Sequence, residues 1–267
     1  TETICRGFAL NGDEISPTSV LIPVAAEQEA INIRPAMHAY SQQKGHEPYT
    51  ICLLANHRAT GYDKPAVDAT LRAIEGTQSE FQGELDIRYD VLSLDEPRIG
   101  AIRKCLWDAA LLLSIRSDPE RRFIGINHGI DVVSMNPHYI RNVQNEYKKL
   151  AHPGSNRPLP PRTTLVSHDY PVKTHPNTSR AIFLQDMSTR QRRAHAGYEA
   201  GLVVPFEWYA ARGGFSPFAK TYETAPFTAS GKAPSIAGTG LKTSPRRYVS
   251  HFPDHGFGIW ANTENFT

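Results

Sequence analysis

Four short apolar runs, each followed by a segment of helical periodicity, constrain this chain more than any other feature. Ser19-Val20-Leu21-Ile22-Pro23-Val24 reads as a buried strand, and Glu27 to Gln43 carries a helical pattern. Tyr49-Thr50-Ile51-Cys52-Leu53-Leu54-Ala55 is a second buried strand, with a helix expected over Lys64–Glu75. Leu85 to Val91 alternates and gives a third strand. Ile99 to Ile115 then places Ile102, Leu106, Ala109, Ala110 and Leu113 near one helical face. Phe123–Asn127 is the fourth strand, and the helix after Pro137 carries Tyr139, Ile140, Val143, Tyr147 and Leu150. Such alternation predicts an α/β fold with a mostly parallel sheet covered on both faces. Ligands of such sheets bind beyond the C-terminal strand ends. Here those ends are Val24–Glu27, Ala55–His57 and Asn127–Asp131.

The 267 residues suffice for one large α/β domain or two small ones. A net charge of +2 excludes the strong basic field expected of a nucleic-acid binder. No run of apolar residues is long enough for a membrane span, and the N-terminus does not read as a signal peptide. The three cysteines, Cys5, Cys52 and Cys105, form no CxxC pair. Read as buried free thiols, they point to a reducing, cytoplasmic setting.

The second half differs in character. His152 to Pro161 is a loop by composition, so residues 1–150 and 160–267 read as two halves of one domain. A helix is expected over Gly197–Ala211, with Leu202, Val203, Phe206 and Tyr209 as its apolar positions. The segment Phe227 to Gly240, rich in Ser, Thr, Gly, Pro and Ala, is expected to be a loop.

Chemistry-bearing residues gather at the strand ends. Glu27 and Glu29 follow the first strand, where a carboxylate suits ribose hydroxyls and base edges or simply favours a helix start. Asn56 ends the second strand. Asp63, before Lys64-Pro65, reads as a helix N-cap. Gly100 and Arg103 open the helix at Ile99; they suit close backbone approach and phosphate, or a solvated basic face. His128-Gly129-Ile130-Asp131 follows the fourth strand and offers an imidazole and a carboxylate. Both are ligand types that manganese accepts, although Asp131 could instead stabilise the turn.

These segments, in this order, resemble glycosyltransferase family 2 domains. Leu21-Ile22-Pro23-Val24-Ala25-Ala26-Glu27 is similar to the family's opening, with Ala26 where the family has Asn. Asn56, the Gly100–Arg103 segment, Ala210-Ala211-Arg212-Gly213-Gly214-Phe215 and Leu241-Lys242-Thr243-Ser244-Pro245-Arg246-Arg247-Tyr248 resemble its later motifs. The resemblance spans roughly residues 18–260. It implies a GT-A, Rossmann-like fold, with a mixed, mostly parallel sheet flanked by helices. It also implies transfer of a sugar from a UDP- or GDP-linked donor, with inversion, assisted by Mn2+ or Mg2+. Nucleotide contacts would come from Ala25, Glu27, Asn56, Gly100, Arg103, Arg246 and Arg247. Metal ligands would come from Asp131 with His128, His251 or His255. The family's Asp-x-Asp has Gly129 at its first position here, and Glu223-Thr224 stands where its Glu-Asp supplies the base, leaving Glu223 as the catalytic candidate. A chain of the same fold that binds nucleotide without catalysis is the rival reading. A sugar nucleotidyltransferase is a further one, disfavoured because Val24–Ile31 holds no Gly and no Lys.

Overall fold

The structure, a computed structural model, describes residue 8 and residues 14–118, 121–150, 165–169, 202–218 and 235–243. Its elements run β1 (Thr18–Ala25), α1 (Ala30–Ser41), β2 (Tyr49–Arg58), α2 (Lys64–Glu80), β3 (Asp86–Leu94), α3 (Ile99–Ser117), β4 (Ile124–Asn127), β5 (Val132–Ser134) and α4 (Tyr139–Leu150). After these come β6 (Leu165–Asp169), β7 (Leu202–Pro205), α5 (Phe206–Ala211) and β8 (Ser235–Thr243). A five-stranded sheet has the order β3-β2-β1-β4-β7, and a three-stranded sheet the order β5-β8-β6. In the larger sheet β3, β2, β1 and β4 are parallel, while β7 runs antiparallel to β4. The fold is therefore Rossmann-like α/β, mostly parallel, with helices on both faces.

The period-two alternation of the strands builds two cores. Val20, Ile22 and Val24 of β1 and Ile51, Leu53 and Ala55 of β2 face one layer. There they meet Ile33, Met37 and Tyr40 of α1, Val67 and Ile74 of α2, and Tyr139, Ile140 and Val143 of α4. Leu21, Cys52 and Leu54 face the other layer, where α3 brings Ile102, Leu106, Trp107, Ala110 and Leu113, and α5 brings Phe206, Trp208 and Tyr209. Gly125 in β4 has a steric reason. A Cβ there would lie 2.6 Å from two atoms of the Trp107 ring and 2.7 Å from Phe206. Trp107, Phe206, Tyr209 and Phe215 close this layer as an aromatic cluster with ring centroids 5.0–5.7 Å apart, edge-to-face except for the tilted Trp107–Tyr209 pair.

Three expectations are corrected. Leu202–Pro205 is a strand and not part of a helix, and only Phe206–Ala211 is helical. Its apolar residues serve both faces of the sheet, Val203 in one core and Leu202 and Val204 in the other. A run buried on both faces has no polar alternation to distinguish it from a helix. Residues 235–240, expected as part of a loop, belong to the strand Ser235–Thr243, which pairs with both β5 and β6. Cys105 is only half-buried, whereas Cys52 is buried as expected. Residues 152–161, 197–201 and 227–234 lie outside the described residues.

Candidate functional site

The turn after β1 is strapped from three sides. Within it, Glu29 closes a ring: its carboxylate accepts from Ala25 N at 2.7 Å, and its own N–H donates to Ala25 O at 3.1 Å. For this reason α1 starts at Ala30 and not at Glu27, because residues 26–29 form the turn. From β2, Asn56 Nδ2 donates to Val24 O at 2.7 Å, and Ala26 N donates to Asn56 O at 2.9 Å. From α2, the buried Thr70 Oγ1 donates to Ala26 O at 2.6 Å. Glu27 Oε2 accepts from Asp63 N at 3.1 Å, which ties the turn to the start of α2. Asp63 is the N-cap of α2, accepting from Ala66 N at 3.2 Å, with proline in the first turn.

Ala25, Glu27 and Asn56, singled out in the sequence, thus form one hydrogen-bonded unit at the C-terminal edge of the sheet. Two neighbours were not apparent from sequence. Thr70 is one residue of a helix and carries no motif. Glu29 looks like an ordinary helix-start acid until its bond to Ala25 N is seen. Beside the unit, the half-buried rings of His57 and Tyr62 pack at a 4.5 Å centroid distance.

Gly100 and Arg103 lie buried in the first turns of α3, which begins beyond the C-terminal end of β3. Arg103 is therefore not the solvated face that an exposed basic helix would present.

Beyond β4, His128 is fully buried. Its ring nitrogens are both in hydrogen bonds, Nδ1 with Tyr40 Oη at 2.5 Å and Nε2 with Tyr139 Oη at 2.8 Å. The Tyr139 ring stacks on the imidazole at 5.3 Å. A neutral imidazole has one N–H and one bare nitrogen, so it donates to one tyrosine and accepts from the other. Burial raises both tyrosine pKa values well above the ordinary phenol range, and both hydroxyls stay protonated. In this geometry neither imidazole nitrogen is open to a cation. Asp131 is also buried, in the turn before β5. Val132, its neighbour, is paired with Thr243, the last described residue of β8.

On the α3 face, Gly213 and Gly214 take left-handed φ angles of 75° and 77°. The turn is held by Lys104 Nζ, which donates to Gly213 O at 3.3 Å, and by Phe215, buried against Trp107 and Tyr209. Tyr209 Oη donates to Asp108 Oδ1 at 2.9 Å, and Lys104 pairs with Asp108 at 3.1 Å. A side chain at Gly214 would meet Tyr209 Oη at 2.7 Å, so both the φ and the space demand glycine.

Comparison with known proteins matches no family model and no curated protein. Glu223, Arg246, Arg247, His251 and His255 lie outside the described residues. Among the described residues, no three His, Cys, Asp or Glu side chains gather as a metal site. With His128 engaged by two tyrosines, Asp131 is the one sequence-expected metal ligand that the described residues leave in place. No helix among the described residues is long and apolar enough to cross a membrane.

Proposed function

We propose that this chain is a glycosyltransferase that moves a sugar from a UDP- or GDP-linked donor to an acceptor. The observation that carries the reading is the strapped turn after β1. Ala25, Glu27 and Asn56 are held together at the C-terminal edge of a mostly parallel sheet, where such folds take nucleotides. The nucleoside lies against this turn. The diphosphate extends toward the start of α3, where Arg103 supplies positive charge. The two Arg of the 246–247 pair, close in sequence to Thr243, which pairs with Val132, are the further phosphate partners in the proposal. Glu223 is the proposed base. It takes the acceptor hydroxyl's proton as that oxygen attacks the anomeric carbon and the nucleoside diphosphate leaves, inverting the centre. A divalent cation held by Asp131, with His251 or His255, belongs to the proposal as a ligand to be tested.

A second reading has a specific observation in its favour. Gly129 replaces one expected carboxylate, and His128 is locked between Tyr40 and Tyr139. Both favour a chain that binds nucleotide without transferring sugar. Titration calorimetry with UDP and GDP, with and without Mn2+, tests the shared premise, and donor hydrolysis separates the two. Nucleotide release that Asp131→Ala abolishes supports the transferase. Binding without turnover supports the second reading, and no binding of either nucleotide refutes both.

A further inference from the structure

The turn after β1 also carries a chemical preference among nucleobases. Glu27 is half-buried, and of its two carboxylate oxygens only Oε2 is bonded, to Asp63 N at 3.1 Å. Oε1 has no hydrogen-bond partner among the described residues. The residue before Asp63 is Tyr62, whose ring packs with His57 at 4.5 Å. A carboxylate that can only accept is therefore bonded to the residue that follows Tyr62, one of a pair of half-buried rings at the sheet edge. Rings of this kind stack on any base and do not discriminate among them. The carboxylate does discriminate. The pairing edge of guanine offers adjacent N1–H and N2–H donors, which match two carboxylate oxygens. The pairing edge of uracil sets one N–H between two carbonyl oxygens, and those repel a carboxylate. Adenine and cytosine place a bare ring nitrogen beside their amino group, again an acceptor against an acceptor. The local charge also sets the ligand's direction. Glu27, Glu29 and Asp63 crowd this turn with carboxylates and would repel phosphate, so the base end belongs here and the phosphate end near Arg103.

We infer that the site selects a guanosine diphosphate ligand, with Glu27 reading the N1–H and N2–H edge and Tyr62 with His57 forming the stacking shelf. The inference rests on the nucleotide-binding reading above and narrows it to one base. The test is calorimetry of the full chain with GDP, inosine diphosphate and UDP, each with Mg2+. Inosine lacks only the 2-amino group, so the loss of that one hydrogen bond to a charged acceptor should weaken binding about tenfold relative to GDP. UDP should bind more weakly still. Glu27→Gln keeps an oxygen for Asp63 N but brings in a donor, and should reduce the GDP-to-inosine ratio to near unity. Tyr62→Leu should weaken GDP and inosine diphosphate alike, about tenfold. Melting temperatures of both variants within a few degrees of the parent establish that the fold is kept. UDP binding as tight as GDP, or a GDP-to-inosine ratio unchanged in Glu27→Gln, overturns the inference while leaving nucleotide binding intact. Absence of binding by all three nucleotides overturns the proposed function as well.

Discussion

Gly125→Ala is the most direct test of how the two layers meet. Gly125 sits in β4 with Ser19 of β1 on one side and Val204 of β7 on the other, so the strand cannot move sideways without breaking a ladder. The new methyl would lie 2.6 Å from Trp107 Cη2 and Cζ3 and 2.7 Å from Phe206 Cε1. Against ordinary contact at 3.4 Å, the Trp107 contacts are about 0.8 Å too short, and both rings are almost wholly buried. Relief must come from off-rotamer rings or a displaced α3, which for overpacked cores costs about 1–3 kcal/mol. Three simultaneous short contacts place this case at about 3 kcal/mol. For a chain of this size that corresponds to a fall in melting temperature of about 6–12 °C. Guanidinium unfolding followed by far-UV circular dichroism measures the change. Trp107→Leu removes the two colliding ring atoms. Combined with Gly125→Ala it should cost at least about 1 kcal/mol less than the sum of the single changes. If Gly125→Ala shifts stability by less than about 0.5 kcal/mol, or the cycle shows no coupling, the close approach of Trp107 to β4 is refuted.

Other consequences are equally concrete. Tyr40→Phe and Tyr139→Phe each leave a buried imidazole nitrogen of His128 without its hydroxyl partner, and each should cost about 1–3 kcal/mol in chemical denaturation. Asp63→Ala removes the cap of α2 and one end of the bond to the Ala66 N–H, and should cost about 1 kcal/mol by the same measurement. Burial pushes the Cys52 thiol up to about 12 from an ordinary value of 9.0, so the folded state keeps a proton that the unfolded chain has already lost. This contribution to stability is complete below pH 9.0 and is lost as pH rises toward 12, at about 1.4 kcal/mol per pH unit. Cys52→Ala should flatten that alkaline slope in a denaturation series from pH 8 to 10. In native protein a thiol reagent should modify the half-buried Cys105 well before Cys52, as read by peptide mapping.

How far the sequence foretold this molecule depends on whether a residue's role is local. β1, β2 and β4 are legible as compact apolar runs, β3 by its alternation, and the helices between them by their periodicity, with punctuation at α2. Asp63-Lys64-Pro65 announces α2, and the structure places the cap there. Leu202–Pro205 was misread because both of its faces are buried, and the periodicity that separates strand from helix vanishes in that case. At the candidate site, Glu27 and Asn56 could be found from their position after strands. The parts played by Thr70 and Glu29 could not, since each depends on a backbone atom that only the fold brings near. His128 shows the same limit. Its type and place fit a cation ligand, yet what surrounds it comes from Tyr40, far away in the chain, and from Tyr139.

The antiparallel β7 has a consequence for how the chain must be made. β4 is four residues long and wholly buried, and among the described residues one of its two edges is covered by β7, with Ile124 opposite Pro205. During synthesis β1, β2, β3 and β4 all emerge well before residue 202, so the β4 edge must wait for β7, its partner among the described residues. Release of the chain at residue 150 would leave β4 without the β7 ladder. Truncations that stop short of residue 202 lose the β4–β7 ladder and should self-associate more than those that include Pro205, in which the outer edge is β7 and no longer the buried β4.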